Sequence, residues 1–160
     1  MKIKNTVGRI YLSTSKALVN AKKSHKKGDF NHALQEYNGV LDRFPNNIKA
    51  RIGILHIYEG LSPSDNYSTS SGKQIEVLTK LMVQKKFADV LKYGEILIRS
   101  NSPEPKIFNI LGAASAELSI NNKAITFFKQ AIKLSPTYHE VHNNIAITYK
   151  NIGQSLDAVN

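Results

Sequence analysis

One spacing pattern constrains the fold of this chain more than any other feature. Aromatic residues, small residues and a Leu-Gly pair occur at fixed spacings within about 34 residues, which is the length of a unit built from two helices and a turn. The pattern consists of Phe108, Leu111, Gly112, Ser115, Ala124, Phe128, Ala131 and Pro136. The small side chains of Gly112 and Ser115 let two helices approach closely. Phe128 is expected to fill the gap between neighbouring helix pairs, and Pro136 to end the second helix. The pattern therefore predicts a helical scaffold.

Weaker copies of this spacing lie on both sides of the best unit. Ala33 and Tyr37 belong to an early copy, and Gly94 stands where a later copy should have an aromatic residue. A stretch rich in Ser interrupts the register between them. These patterns predict a basic N-terminal segment (1–13), a degenerate unit with an extra helix (14–60), a flexible Ser-rich loop (61–72), a degenerate unit (73–104), a well-matched unit (105–138) and an incomplete unit (139–160).

Local signals for helix starts agree with this division. Asp29 and Asn47 precede apolar-periodic segments, where a side-chain oxygen can cap a helix. Ser71 and Thr137 each stand three residues before Gln or Glu, the spacing of a capping box. No alternating strand pattern of useful length occurs. The sequence predicts an all-α chain of eight or nine helices, with pairs at 15–27/30–44, 73–84/87–100 and 105–118/121–134 and a further helix at 139–152.

The positive charge of the chain is concentrated at its start. The net charge is +10, and eight basic residues but no acidic residue lie within the first 28 positions. The sequence permits two interpretations: a patch that binds nucleic acid, an anionic membrane or an acidic partner, or a solvated helix face. The densest part of this candidate basic patch comprises Lys22, Lys23, Lys26 and Lys27.

Composition argues against several kinds of site. The chain has no cysteine, which removes disulfides, thiolate metal sites and cysteine nucleophiles. His139 and His142 lie three residues apart without a third ligand at a recognisable spacing, so a structural role is expected for His142. No phosphate-binding loop or serine nucleophile motif occurs. The sequence therefore predicts no enzyme, no cofactor and no metal, and the lack of a secretory signal or apolar span predicts a cytoplasmic protein.

From Lys73 to Asn160 the chain resembles bacterial tetratricopeptide repeat arrays, especially those that precede sulfotransferase or glycosyltransferase domains. The resemblance rests on the stretches Phe108–Ala114 and Tyr138–Ala146. It implies a right-handed α-solenoid of antiparallel helix pairs. It also implies that the first helices of successive pairs line a concave groove, which holds an extended peptide or a partner helix.

The repeat register assigns residues to that implied groove. They are Lys106, Asn109, Ala113 and Ala116 in one unit, and Glu140, Asn143, Asn144, Ile147 and Lys150 in the next. Asparagine suits such a surface because its amide can pair with both polar groups of a passing backbone. Some relatives grip a C-terminal carboxylate with Lys and Asn, but the corresponding positions here hold Leu18, Lys22, Ile75 and Thr79. A clamp of that type is not expected.

Three functions remain open from the sequence. The first is a scaffold that binds a protein or peptide in the groove. The second is the N-terminal region of a larger sulfotransferase- or glycosyltransferase-type enzyme, and the third is a basic module for nucleic acid or an anionic surface. Because the last repeat stops early in its second helix, we also expect the natural protein to continue beyond Asn160, or this end to dock on another chain or a second copy.

Overall fold

The regular secondary structure that can be assigned is entirely helical. The computed structural model describes residues 2–65, 71–100 and 104–157, and side chains within 13–65, 71–99 and 104–153. The described residues form α1 (Lys2–Lys26), α2 (Phe30–Arg43), α3 (Ile48–Glu59), α4 (Ser71–Val83), α5 (Phe87–Ser100), α6 (Pro105–Glu117), α7 (Asn121–Leu134) and α8 (His139–Asp157). The all-α prediction is confirmed.

The helices group into two compact units. Unit 1 is Met1–Ser68 and contains α1 to α3, whereas unit 2 is Thr69–Asn160 and contains α4 to α8. The division falls within the Ser-rich stretch 61–72. Residues 66–70 of that stretch lie outside the described residues, so the expected flexibility of this loop remains a prediction.

Three predicted boundaries are wrong, one of them the end of the last helix, since α8 runs to Asp157 and not to residue 152. The first helix was expected to begin near residue 15, but α1 begins at Lys2, so the segment 1–13 is largely helical. Its sequence contains no proline that would stop a helix. Ser71 and Gly72 were assigned to the loop, yet α4 begins at Ser71. Before the undescribed stretch, the Asp65 carboxylate accepts a hydrogen bond of 2.8 Å from the Ser62 N–H.

The predicted helix caps are correct at two of four positions. Asp29 accepts a hydrogen bond of 3.2 Å from the N–H of His32, and Asn47 accepts one of 3.0 Å from the N–H of Ala50. The capping box predicted at Thr137 is wrong, because α8 begins only at His139, two residues after Thr137. The Glu140 carboxylate instead accepts a hydrogen bond from Asn109. The box at Ser71, the first residue of α4, remains a prediction.

The core of unit 1 depends on the close approach of α2 and α3. Tyr37 of α2 is 4% exposed, and its ring occupies the space above Gly53 of α3, where a Cβ atom would overlap it. Small and aliphatic side chains complete this core: Ala21, Ala33, Val40, Ala50, Ile54 and Leu55. Tyr37 therefore packs inside unit 1, in keeping with its place in the early copy of the repeat.

Unit 2 is built as two layers. Helix α6 packs against α4 and α8 as well as against α5 and α7, whereas α5 and α7 do not pack on each other in the described part of the chain. The alternate helices α4, α6 and α8 therefore lie side by side and closer together than α5 and α7 do. We call α4, α6 and α8 the inner layer and α5 and α7 the outer layer.

Two glycines allow the layers of unit 2 to approach. The ring of Phe128 on α7 lies where a Cβ at Gly112 of α6 would be, and Phe128 is 1% exposed. Gly94 of α5 similarly faces the side chain of Leu111. The aromatic residue that the repeat pattern lacks at Gly94 is thus not needed, because Leu111 of the next helix fills that space.

A buried polar cluster lies between α1 and α3 in unit 1. His25 is 5% exposed, His56 is 2% exposed and Glu59 is 6% exposed. Burial lowers the pKa of both histidines below the ordinary value of 6.5, because a charged imidazole loses hydration there. A hydrogen bond to the Leu61 backbone opposes the shift in the pKa of His25, and Asp65 and Glu59 oppose that of His56, whereas Lys22 adds to it.

We predict that Phe128→Ala lowers the free energy of unfolding by about 3–5 kcal/mol, because a buried ring is replaced by a cavity. Phe30→Ala is the control, since Phe30 is 48% exposed, and it should cost less than about 1 kcal/mol. Urea denaturation followed by circular dichroism measures both. A loss below about 1 kcal/mol for Phe128→Ala would contradict its packing role.

A pair of glycine substitutions tests the close helix approach. Gly112→Ala should destabilise unit 2, because the new Cβ overlaps the Phe128 ring; an overpacked core costs about 1–3 kcal/mol. Gly39 lies inside α2 with open space where a new methyl group would stand, so Gly39→Ala should stabilise unit 1 by about 0.5–1 kcal/mol. The same denaturation assay applies, and equal effects of the two changes would count against the argument.

Acidification should destabilise unit 1 more than unit 2. The unfolded histidines protonate as the pH falls through about 6.5, whereas the buried His25 and His56 resist protonation because their pKa values are lowered. The unfolded state then binds more protons, so stability is full above about 6.5 and is lost as the pH falls towards the folded pKa values. Hydrogen exchange at pH 7.5 and 5.5, corrected for intrinsic rates, should show protection lost in α2 and α3. Helices α6 and α7 are the internal control, and equal losses there would refute the prediction.

Candidate protein-interaction surface

Helices α6 and α8 of the inner layer carry the predicted groove residues. Ile147 is 57% exposed. Ala113 and Ala116 are half-buried, and Asn144 is half-buried as well. The exposed members of the set are Lys106, Glu140, Asn143 and Lys150. The surface therefore combines an exposed aliphatic side chain with charged and amide groups, a mixture suited to holding a polypeptide.

A hydrogen-bond network joins α6 to α8. Asn109 is 4% exposed, and its Nδ2 donates to Glu140 Oε1 at 2.9 Å and to the Tyr138 hydroxyl at 3.4 Å. Its Oδ1 accepts a hydrogen bond of 2.9 Å from Asn144 Nδ2. Burial raises the pKa of Tyr138, and the Glu140 carboxylate adds to the increase, so the hydroxyl stays protonated at neutral pH. The Asn109 amide is thus used to position α8 on α6.

The network changes the roles that the groove residues can take. Both amide hydrogens of Asn109 point to groups of the protein itself. Asn144 uses one of its amide hydrogens on Asn109 and keeps its side-chain oxygen as an acceptor. The sequence grouped these residues correctly on neighbouring helices, but their side-chain hydrogen bonds arise from the α6–α8 contact.

All four lysines of the candidate basic patch, Lys22, Lys23, Lys26 and Lys27, are exposed on or just after α1. Phe30 follows them in the early copy of the repeat, where packing within the repeat would bury its ring. It is instead 48% exposed, and its ring centroid lies 5.7 Å from that of His25. Phe30 begins α2 on the solvent side, one turn before the buried Ala33.

A second surface, missed by the sequence analysis, lies between α1 and α3. Two adjoining hollows of about 650 and 460 Å³ share Ser15, Leu18 and Lys49 in their walls. We call this depression the α1–α3 groove. Its walls include two aliphatic side chains that are largely open to solvent, Val19 at 65% and Ile48 at 67% exposure. No sequence signal separated these two residues from ordinary core positions, because both fit the helical periodicity.

The histidines singled out from the sequence form no metal site. His142 is exposed, and its Nε2 lies 2.9 Å from the carbonyl oxygen of Pro136, so it supports the turn before α8. Its ring is thus used at the surface and not in the core. Among the described residues, no group of three or more His, Asp and Glu residues could hold a metal ion.

A model of the tetratricopeptide repeat matches residues 127–160, a window that begins within α7 and includes α8. No curated protein matches the chain. None of the described helices is both long enough and apolar enough to cross a membrane.

Solved structures share the fold at low sequence identity. The crystal structure of MamA protein aligns with a TM-score of 0.52 and 20% identity, covering 92% of this chain and 86% of that one. The first such repeat domain of human RPAP3 aligns at 0.50 with 16% identity, covering 90% and 95%. A C-terminal repeat domain of a Plasmodium falciparum FK506-binding protein aligns at 0.50 with 14% identity, covering 91% and 92%. The repeat model matches within α7 and α8, and these solved structures show that the chain shares the fold of tetratricopeptide repeat domains.

Proposed function

We propose that this protein is a non-enzymatic interaction scaffold that holds an extended peptide or a partner helix on the inner layer of unit 2. The observation that carries the proposal is the exposure of Ile147 among polar groups of α6 and α8. An aliphatic side chain with 57% exposure gains free energy when a partner covers it. The surrounding lysines and amides supply polar contacts that orient the partner.

The hydrogen-bond network supports the proposal through preorganisation. Because Asn109 joins Glu140 and Asn144, the α6 and α8 surfaces are held together before a partner arrives. A prearranged surface loses less conformational freedom on binding. In this proposal Asn109 positions the surface, whereas Lys106, Asn143, Ile147 and Lys150 contact the partner.

A second function, binding of nucleic acid or an anionic surface by the basic patch, has one observation in its favour: its four lysines are exposed. Single-stranded nucleic acid also needs exposed rings on which bases stack. The described side chains of α1 include no aromatic ring other than that of the buried His25, and Phe30 is the nearest exposed ring along the chain. The groove function is therefore preferred.

The proposal predicts that Ile147→Asp and Lys106→Glu weaken binding of the protein partner. Burial of an isoleucine contributes about 1.5–3 kcal/mol, so Ile147→Asp should raise the Kd at least about tenfold. The assay has two stages: retention of cellular proteins on the immobilised chain, then titration of the retained protein by fluorescence anisotropy. Circular dichroism verifies that each variant is folded.

Lys129→Glu is the matched control, because Lys129 is exposed on α7 in the outer layer. It makes the same charge change as Lys106→Glu and should leave binding unchanged. Loss of binding with Lys129→Glu, or full binding by Ile147→Asp, would contradict the assignment of the inner layer. Loss only on reversal of Lys22, Lys23, Lys26 and Lys27 would favour the basic patch.

A further inference from the structure

Two buried histidines meet where α1 packs against α3 in unit 1. His25 of α1 is 5% exposed, and His56 of α3 is 2% exposed. The rings are close enough that a positive charge on His56 opposes protonation of His25. Neither ring belongs to the inner layer of unit 2, so the function proposed for that layer makes no use of them. Buried titratable groups at a helix contact can couple the contact to pH.

Residues 61–65, which follow α3, connect the two histidines. The Leu61 N–H donates to the carbonyl oxygen of His56 at 2.8 Å, and the Leu61 backbone is also hydrogen-bonded to the His25 side chain. Asp65 lies close enough to His56 to favour a charge on that ring. The end of α3 and the residues after it are therefore held to α1 partly through these two side chains.

Protonation of both rings would leave this contact with excess positive charge. The other charged groups that act on the rings or line a hollow with them are two lysines of α1 and two carboxylates: Lys22, Lys26, Glu59 and Asp65. Two protonated rings and two lysines would outnumber the two carboxylates. The side chains of α2 at this contact are Phe30, whose ring faces that of His25, and Tyr37, which stays neutral because burial raises the pKa of its phenol.

The closed contact also lacks an acceptor for a further proton on His25. The Nδ1 atom of His25 is buried and has no hydrogen-bond partner in the part of the chain that the structure describes. In the protonated ring this atom carries a hydrogen, which would be a buried donor without an acceptor. Burial lowers the pKa of both rings, since a charged imidazole loses its hydration there. Water that enters an opened contact removes both costs.

We propose that this contact is a pH switch, in which protonation of His25 and His56 moves the end of α3 and residues 61–65 away from α1. The packing of Tyr37 on Gly53, one turn before His56, stays in place and acts as the pivot. The open form binds protons more tightly, so the contact is closed above about pH 6.5 and opens as the pH falls towards the lowered pKa values of the closed form. The helices persist in the open form, so the response is a defined movement and not only a loss of stability.

A distance measurement tests the movement directly. Because the chain has no cysteine, spin labels can be attached at introduced cysteines alone. Lys23→Cys and Ser64→Cys place labels at exposed sites on α1 and after α3. Double electron–electron resonance should show a longer label separation at pH 5.5 than at pH 7.5, and the change should reverse on neutralisation. Lys23→Cys with Gln35→Cys on α2 is the control pair, whose separation should stay constant. Circular dichroism should show that the helices are retained at both pH values.

Substitutions test whether the histidines drive the change. His25→Gln combined with His56→Gln should abolish the pH response, whereas His32→Gln, at an exposed histidine of α2, should leave it intact. Lys22→Gln removes an exposed charge that opposes protonation of His56 in the closed form. The closed form then tolerates the proton better, so the midpoint of opening should move to lower pH by about 0.2–0.5 unit. Lys16→Gln makes the same charge change at another exposed residue of α1 and should not move the midpoint.

Three outcomes would overturn the proposal. One is an equal label separation at pH 7.5 and 5.5. Another is a longer separation that appears only together with loss of the helical circular dichroism signal, because acid would then simply unfold unit 1. The third is an unchanged pH response in the variant that lacks both histidines. If that variant does not fold at pH 7.5, the lysine pair decides, and equal midpoints for Lys22→Gln and Lys16→Gln would reject the switch.

Discussion

The structure depends on close helix contacts at glycine residues, which have no side chain to keep the helices apart. Gly53 admits the ring of Tyr37 in unit 1, and Gly112 admits the ring of Phe128 in unit 2. Each contact brings two helices close enough to exclude water from a large ring, and this burial stabilises a chain that has no disulfide to add. Because a well-packed interior does not tolerate an added methyl group, the two glycines set the helix spacing within their units.

This packing determines what remains for binding. The interior of each unit is filled mainly by small, aliphatic and aromatic side chains. Other polar and aliphatic side chains, on the first helix of each pair, are left at the surface. In unit 2 the surface is ordered by Asn109, which spans α6 and α8. In unit 1 the corresponding space between α1 and α3 has a mainly aliphatic lining, with Lys22 and Lys49 among its charged groups. The two surfaces therefore differ in chemistry.

Sequence reasoning succeeded where a structural outcome depends on neighbours in the chain. The caps at Asp29 and Asn47 and the burial of Phe128 follow from spacings of a few residues. It failed where contacts between distant residues decide. The carboxylate of Glu140 accepts from Asn109 on another helix, so the expected capping box with Thr137 is not formed. Phe30 fits the apolar periodicity, yet it remains half-exposed at the start of α2.

The sequence by itself determined the helical class, the repeat spacing and the candidate inner-layer residues, because each follows from a periodic pattern that neighbouring residues carry. The tertiary structure alone decided which of those side chains remain free. Asn109 and Asn144 are 35 residues apart and bond only because α6 and α8 pack together. The α1–α3 groove and the burial of His25 and His56 likewise arise from the packing of α1 against α3. Such contacts depend on chain geometry over long separations, which local spacing does not encode.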